Sequence, residues 1–230
     1  NKIFLKNIKK SKIKNFLYEK KLFFAKELIE VNSIASDISN SAKFESDEKY
    51  IVHLDADCSY DRDAIEKIII PFYLDKKIGG VGGNVLVRNY KESLATTLQA
   101  IEYYDTISIG RRVTSYVGWY RIISGAFGAF KRDLLKNIGG WDIGPGLDGD
   151  ITVKIRKMGY KIHFEAEAVC LTSVPKNFKI LKKQRLRWDK SIIRFRLRKH
   201  NDVLLPNQHF KFSNFFSFIE NIGFSVVLNV

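Results

Sequence analysis

Short apolar runs, each closed by acids or glycines, alternate along the chain with stretches of helical periodicity, the pattern of an α/β domain. In YIVHLDAD a β-rich run over Tyr50–Leu54 ends in acidic residues, and GVGGNVLV over Gly80–Val87 reads as a second strand. The helix between them is predicted to begin near Asp61 and to carry Ile65, Ile68, Ile69 and Phe72 on one side, with Pro71 ending or kinking it. Together these segments read as a βαβ unit. A longer helix is predicted at about 94–111. RIISGAFGAFK reads as two short extended runs around Gly125 and Gly128, and a helix RDLLKNI follows, closed by Gly139 and Gly140. The glycine-rich GWDIGPGLDGD, the expected mobile loop, leads into a helix ITVKIRKM capped by Gly159. YKIHF and AVCLT are strand candidates, and Pro175 precedes a long basic helix containing KKQRLRWDKSIIRFRLRK.

With 230 residues, 45% of them hydrophobic, the chain can bury one substantial core. The excess of 39 Lys and Arg over 25 Asp and Glu gives a net charge of +14, which favours anionic partners: a nucleotide diphosphate, a lipid surface or nucleic acid. Cys58 and Cys170 stand far apart and in no metal-ligand spacing, so a disulfide framework or zinc module is not expected, and a reducing cytosol fits best. Lysines run throughout the opening NKIFLKNIKKSKIKNFLYEKK, which is no secretory signal; its apolar positions Phe4, Leu5, Ile8, Ile13, Phe16 and Leu17 suit a basic amphipathic helix, solvated or lying on an anionic membrane. The closing FFSFIENIGFSVVLNV turns apolar after Glu220 but falls short of the roughly 20 residues a membrane span needs, and reads as a core or interfacial helix.

Three groups of residues carry candidate chemistry. Asp55 and Asp57 follow an apolar strand. Alternate strand residues point to opposite faces, so both reach one ligand only where the strand ends and bends, and there they supply hard oxygens for magnesium or manganese bridging two phosphates. A solvated turn is the plain alternative. Asp148 and Asp150 stand where the loop enters a helix, as N-terminal caps or as a general base that takes a proton from an acceptor hydroxyl. Gln184, Arg187 and Trp188 share a helix face at i, i+3 and i+4, able to neutralise a diphosphate and present a flat apolar surface to a sugar ring, or else to bury one tryptophan beneath a basic surface.

The order HLDADCSYDRDAI, IISGAFGAFKRDLLKNIGGWD, GLDGDITVKIRKMGYKI, VCLTSVP and KKQRLRW, from about Tyr50 to His200, strongly resembles the family 2 glycosyltransferases. Within them it looks most like the membrane-bound processive synthases of the cellulose, chitin and hyaluronan type. The resemblance implies a GT-A-like (Rossmann-like) α/β fold, a mixed sheet flanked by helices, and inverting transfer from a nucleotide-sugar, a UDP-sugar, to a polysaccharide acceptor at the cytoplasmic face of the cell membrane. It implies that Asp55 and Asp57 hold the diphosphate and its magnesium or manganese, and that Gln184, Arg187 and Trp188 form the Gln-x-x-Arg-Trp donor motif. Ser124, Gly125 and Trp188 then fall on the acceptor side, and Thr172 to Pro175 match the Thr-x-x-Pro step. Counting back from Gly159 and Tyr160 puts Asp148 on the catalytic base and Asp150 on the second acid, with Leu147 in place of the usual Glu.

Residues 1–49 form a basic, atypical segment without the family's first nucleotide-binding half; SNSAKF around Asn40 is only faintly similar to the segment that leads into the Asp-x-Asp strand. The reading therefore expects a chain cut short at both ends, with residues 50–200 as the catalytic domain, residues 201–230 as an apolar segment leading towards a missing span, and the first half incomplete. A non-catalytic remnant or binding module of the same fold is the alternative. No nucleic acid partner is expected, since the basic run from Arg185 to Lys199 comes without a nucleic-acid motif.

Overall fold

The computed structural model describes residues 48–120, 122–141, 146–204 and 211–228. The expected amphipathic helix near the start, the segment around Asn40 and the centre of the glycine-rich loop lie outside the described residues.

Five strands form one mixed sheet in the order β1-β4-β3-β5-β2: β1 Tyr50–Leu54, β2 Ser59–Tyr60, β3 Ile78–Val87, β4 Phe127–Lys131 and β5 Lys161–Thr172. β3 and β5 run parallel, and β4 lies antiparallel to both β1 and β3. The expected βαβ unit is thus split, because β1 and β3 are parallel in direction but β4 separates them. Between them runs α1, Ala64–Leu74, which packs against β3 and β5. α1 starts three residues later than predicted and does not end at Pro71, which lies buried inside it. Four residues from the end of the helix, the missing proline N–H forfeits one bond, and burial of Pro71 and Phe72 offsets that loss.

The predicted helix at 94–111 is longer and interrupted. α2, Leu94–Tyr103, leads through a π-helical stretch, Tyr104–Ile109, into α3, Gly110–Tyr116. The wide turn faces a polar contact from another element. Ser108 Oγ donates to Asn84 Oδ1 at 2.8 Å, while Asn84 Nδ2 donates to the Ala166 carbonyl at 3.2 Å. Asn84 stands at the register shift of the β3–β5 ladder, where Gly83 pairs with Glu165 but Asn84 with Val169. YKIHF and AVCLT are therefore one long strand with an irregular middle, whose stray carbonyl Asn84 satisfies.

Of the two extended runs expected around Gly125 and Gly128, only the second is a strand. Gly125 sits in a turn, with the Phe127 N–H donating to the Ser124 carbonyl at 3.2 Å. α4, Arg132–Asn137, follows β4, and α5, Leu147–Lys157, starts earlier than predicted, so that Asp148 and Asp150 lie within its first turn. Gly146, at φ +92°, makes the left-handed entry to α5, a conformation that few other residues adopt without strain. The basic helix is α6, Phe178–Ile192, extended by a π-helical stretch, Ile193–Lys199, and α7, Phe212–Leu228, closes the described chain.

The core joins Val52, Ile68, Phe72, Val81, Val85, Phe127, Leu135, Ile151, Ile155 and Cys170. Nearly every residue of β3 is buried, as befits a central strand covered on both faces. A smaller cluster of Val153, Val203 and Phe218 packs α7 on α5. Buried Arg156 ties that joint together, donating to the carbonyls of Gly118 (3.1 Å), Tyr120 (2.8 Å) and Ser213 (2.7 Å) and to Asn214 Oδ1 (2.9 Å). Burial pushes its pKa down to about 10, so it stays charged at neutral pH. Replacing Arg156 with Met removes four hydrogen bonds from a partly buried joint, one of whose acceptors, the Tyr120 carbonyl, keeps the Ser217 hydroxyl at 3.4 Å, and is expected to lower unfolding stability by about 2 kcal/mol in denaturant titrations.

Candidate active site

The β1 strand delivers Asp55 to the carboxyl edge of the sheet. Its ladder with β4 runs to the Leu54–Phe127 pair, and one further bond, from the Asp55 N–H to the Ala126 carbonyl at 3.3 Å, closes it. The Tyr60 hydroxyl lies between the two chains, 3.0 Å from the Asp55 carbonyl and 2.9 Å from that of Ala126. Beyond Asp55 the backbone turns, with the Cys58 N–H returning to the Asp55 carbonyl at 3.2 Å, and Asp55 and Asp57 emerge exposed on one ligand-facing turn. This is the strand end and bend that the spacing of the two acids requires.

Asp148 approaches from the opposite side. Its Oδ2 accepts the Gly125 N–H at 2.9 Å. The Thr152 hydroxyl donates to the Asp148 carbonyl at 2.6 Å and accepts the Ile123 N–H at 3.0 Å, fastening the first turn of α5 to the strand-entry segment. Although its outer face is exposed, the strand end and neighbouring segments crowd the Asp55 carboxyl enough that partial desolvation raises its pKa; the nearby His53 opposes that shift, and the charges of Asp57 and Asp148 add to it. Asp57 and Asp148 therefore both lie within electrostatic reach of Asp55. A Cβ at Gly125 would stand 2.9 Å from Asp148 Oδ2, so any side chain there must displace the Asp148 carboxylate.

Asp150 does not join this group. Two residues from Asp148 on a helix it faces roughly the opposite way, into a buried basic pocket. His200 Nε2 (2.8 Å) and Lys199 Nζ (2.7 Å) meet its Oδ1, and Lys154 Nζ (3.1 Å) meets its Oδ2. Burial alone would raise its pKa, yet His200 and Lys154 hold it below the usual carboxylate range. Lys157 Nζ stands 2.9 Å from His200 Nδ1, which fits a neutral imidazole whose Nε2–H donates to Asp150. Asp150 thus anchors α5 to the segment after α6.

Gln184, Arg187 and Trp188 lie on α6 as the spacing predicted, but with different exposure. Trp188 is half-buried against the main core with the Arg185 guanidinium 4.8 Å from its ring centre, Gln184 is half-buried, and Arg187 is exposed. Trp188 is thus neither fully buried in the core, as the plain alternative would have it, nor free of it, and Arg187 on the same helix is exposed. Among the described residues no hydrogen bond or ion pair links the three to the acidic turn. α6 is placed by the preceding step, residues 172–176. The Asn89 side chain exchanges two hydrogen bonds of 2.9 Å with the Val174 backbone, and Gln99 Nε2 and Ser93 Oγ donate to the carbonyls of Pro175 (2.8 Å) and Lys176 (2.9 Å).

A family model described as "Glycosyltransferase like family 2" matches residues 21–191. The chain belongs to that family. This family 2 glycosyltransferase chain is 36% identical over 162 residues to a poly-beta-1,6-N-acetyl-D-glucosamine synthase of Staphylococcus epidermidis, covering 70% of the chain and 39% of that protein. It is 38% identical over 141 residues to the synthase of the same name from Staphylococcus aureus strain COL, covering 60% of the chain and 34% of that protein. The chain therefore spans little more than a third of the length of the curated relatives it matches. A mannosyltransferase from Pyrobaculum calidifontis, solved with GDP-Man and Mn2+, superposes with a TM-score of 0.55 at 22% identity, over 79% of this chain and 46% of that one. That likeness is one of fold, and the fold is GT-A-like.

The two carboxylates suit a hard divalent cation. One oxygen each from Asp55 and Asp57 lies within 4.8 Å of the other and of the Cys58 sulfur, a soft atom that magnesium or manganese does not favour as a ligand. The sequence reading passed over Cys58, whose thiol stands 3.5 Å from Asp57 Oδ1, and Arg88, which contacts this turn. Arg88 had a signal: a lone charge at the carboxyl end of an otherwise apolar strand, the edge where ligands bind. A methyl group at position 125 must push Asp148 aside, so Gly125→Ala is expected to cut turnover at least tenfold while the melting temperature changes little, as steady-state assays and thermal melts will read.

Proposed function

We propose that the chain carries the catalytic domain, residues 50–200, of a divalent-metal-dependent enzyme that transfers a sugar with inversion from a nucleotide-sugar, a UDP-sugar, to a growing polysaccharide. One observation carries this reading: in a family 2 chain, Asp148 is fixed by the Gly125 amide within electrostatic reach of the Asp55–Asp57 turn. This supports a base near a diphosphate site, as a transfer between the two requires.

In this reading Asp148 takes the proton from an acceptor hydroxyl as that oxygen attacks the anomeric carbon, and the bond from that carbon to the diphosphate oxygen breaks on the opposite face. A magnesium or manganese ion held by Asp55 and Asp57 would supply positive charge to the leaving diphosphate. Arg187, exposed on α6, adds a second positive group, Gln184 hydrogen-bonds the donor, and the half-buried Trp188 supplies an apolar floor for a sugar ring. Ser124 and Gly125, in the turn that meets Asp148, line the acceptor side. Asp150 supports α5 from behind.

Location at the cytoplasmic face of a membrane draws support from the net charge of +14 and from the apolar side chains that α7 exposes at Phe212, Phe216 and Ile219. No helix among the described residues is long and apolar enough to cross a membrane.

Calorimetric titration of UDP into the purified chain, with manganese and again with EDTA, is expected to show binding only with metal. A folded sample that binds UDP under neither condition favours the non-catalytic remnant. Asp148→Asn in the full-length protein is expected to reduce transfer by at least a hundredfold while leaving UDP affinity unchanged, and full turnover in that variant would remove Asp148 from the role of base.

A further inference from the structure

Arg88 stands one residue beyond β3 with its guanidinium spread across three segments. Nη2 donates to the Asp57 carbonyl at 3.0 Å and Nη1 to Ser59 Oγ at 3.2 Å, while Nε and Nη2 reach Ser173 Oγ at 3.3 and 2.9 Å. Its amide donates to the Thr172 carbonyl at 2.8 Å, carrying the β3–β5 ladder one rung further. Among the described residues no carboxylate forms an ion pair with it.

The Asp55–Asp57 turn needs such a support. It lies past the last rung of the β1–β4 ladder, and it carries two exposed carboxylates whose like charges repel at this range, one oxygen of each lying within 4.8 Å of the other. Within the turn the Cys58 N–H is bonded to the Asp55 carbonyl, and from outside it the Arg88 guanidinium holds the Asp57 carbonyl. An arginine suits the task, because its planar fork bonds several acceptors at once and its charge offsets the acidic pair.

We propose that Arg88, itself held by Ser173, is a positioning residue that fixes the Asp55–Asp57 turn in the form in which both carboxylates share one divalent cation and a nucleoside diphosphate. The inference rests on the nucleotide-sugar reading and deepens it. It also gives the segment between Thr172 and Pro175 a task beyond leading into α6: its Ser173 hydroxyl orients the arginine that orients the metal ligand. Lysine at position 88 would keep the charge but lose the fork, and alanine at position 173 would free the guanidinium on the side away from the acids.

The test measures Mn2+ affinity in the presence of saturating UDP, by the electron paramagnetic resonance signal of free Mn2+, for the full-length protein and its Arg88→Lys, Ser173→Ala and doubly substituted forms. Loss of charge-assisted hydrogen bonds is expected to weaken Mn2+ binding roughly tenfold in Arg88→Lys and about threefold in Ser173→Ala. The double variant should be no weaker than Arg88→Lys alone, because Ser173 acts through Arg88. In assays the metal concentration for half-maximal rate should rise in step, with kcat recovered at saturating Mn2+. Wild-type Mn2+ affinity in both single variants would overturn the proposal, as would additive losses in the double variant. An unsubstituted protein that binds neither UDP nor Mn2+ would sink the nucleotide-sugar reading itself, and this inference with it.

Discussion

The bond from the Asp55 amide to the Ala126 carbonyl is the point on which the site depends. It is the last rung between β1, which delivers the acidic turn, and the entry to β4, whose preceding turn holds Asp148 through Gly125. Tyr60 bridges the same two carbonyl groups from β2, so three strands meet there. Because β4 runs antiparallel between β1 and β3, its beginning lies beside the end of β1, and a segment more than 70 residues downstream comes to face Asp55. A strictly parallel sheet would have put that beginning at the opposite edge.

Charge is sorted by side of the α5 helix. Asp148 looks outward to solvent and the other acids, while Asp150 looks inward to Lys154, Lys199 and His200. A buried carboxylate is tolerable only with such partners, and the partners fix the helix rotation that leaves Asp148 facing out. One carboxylate thus sets the aim of the other without touching it.

Much of this architecture is legible in the sequence because its signals are local. Periodicity located β1, β3, α4 and α6, and the spacing of Asp55 from Asp57 anticipated a bend at a strand end. What escaped depends on distant pairing. Nothing in YIVHL or GAFGAFK says that β4 inserts between β1 and β3, and nothing near Asp150 says that His200, fifty residues away, will face it. Pro71 misled because its cost as a helix breaker was weighed without the burial that offsets it. The π-helical stretch meets Asn84 on another element, which no window along residues 94–111 contains. Leu147, which replaces the usual Glu, left only the count from Gly159 to separate the two acids, whose surroundings differ in the structure: the Gly125 amide at Asp148, basic side chains at Asp150.

The central strand β3 adds very little side-chain volume over Gly79, Gly80, Gly82 and Gly83. The space above and below those residues is filled by Leu134, Ile123, Tyr120 and Phe127, each so close to the strand that an added Cβ would collide with it. In this chain the glycines and their large neighbours therefore fit together only as a set. A chimaera between relatives joined between residues 84 and 119 would bring one protein's bare strand under another's aromatic cover, leaving a void or a collision in the middle of the sheet. Packing in the middle of the sheet thus limits any exchange across that junction, whichever residues line the site.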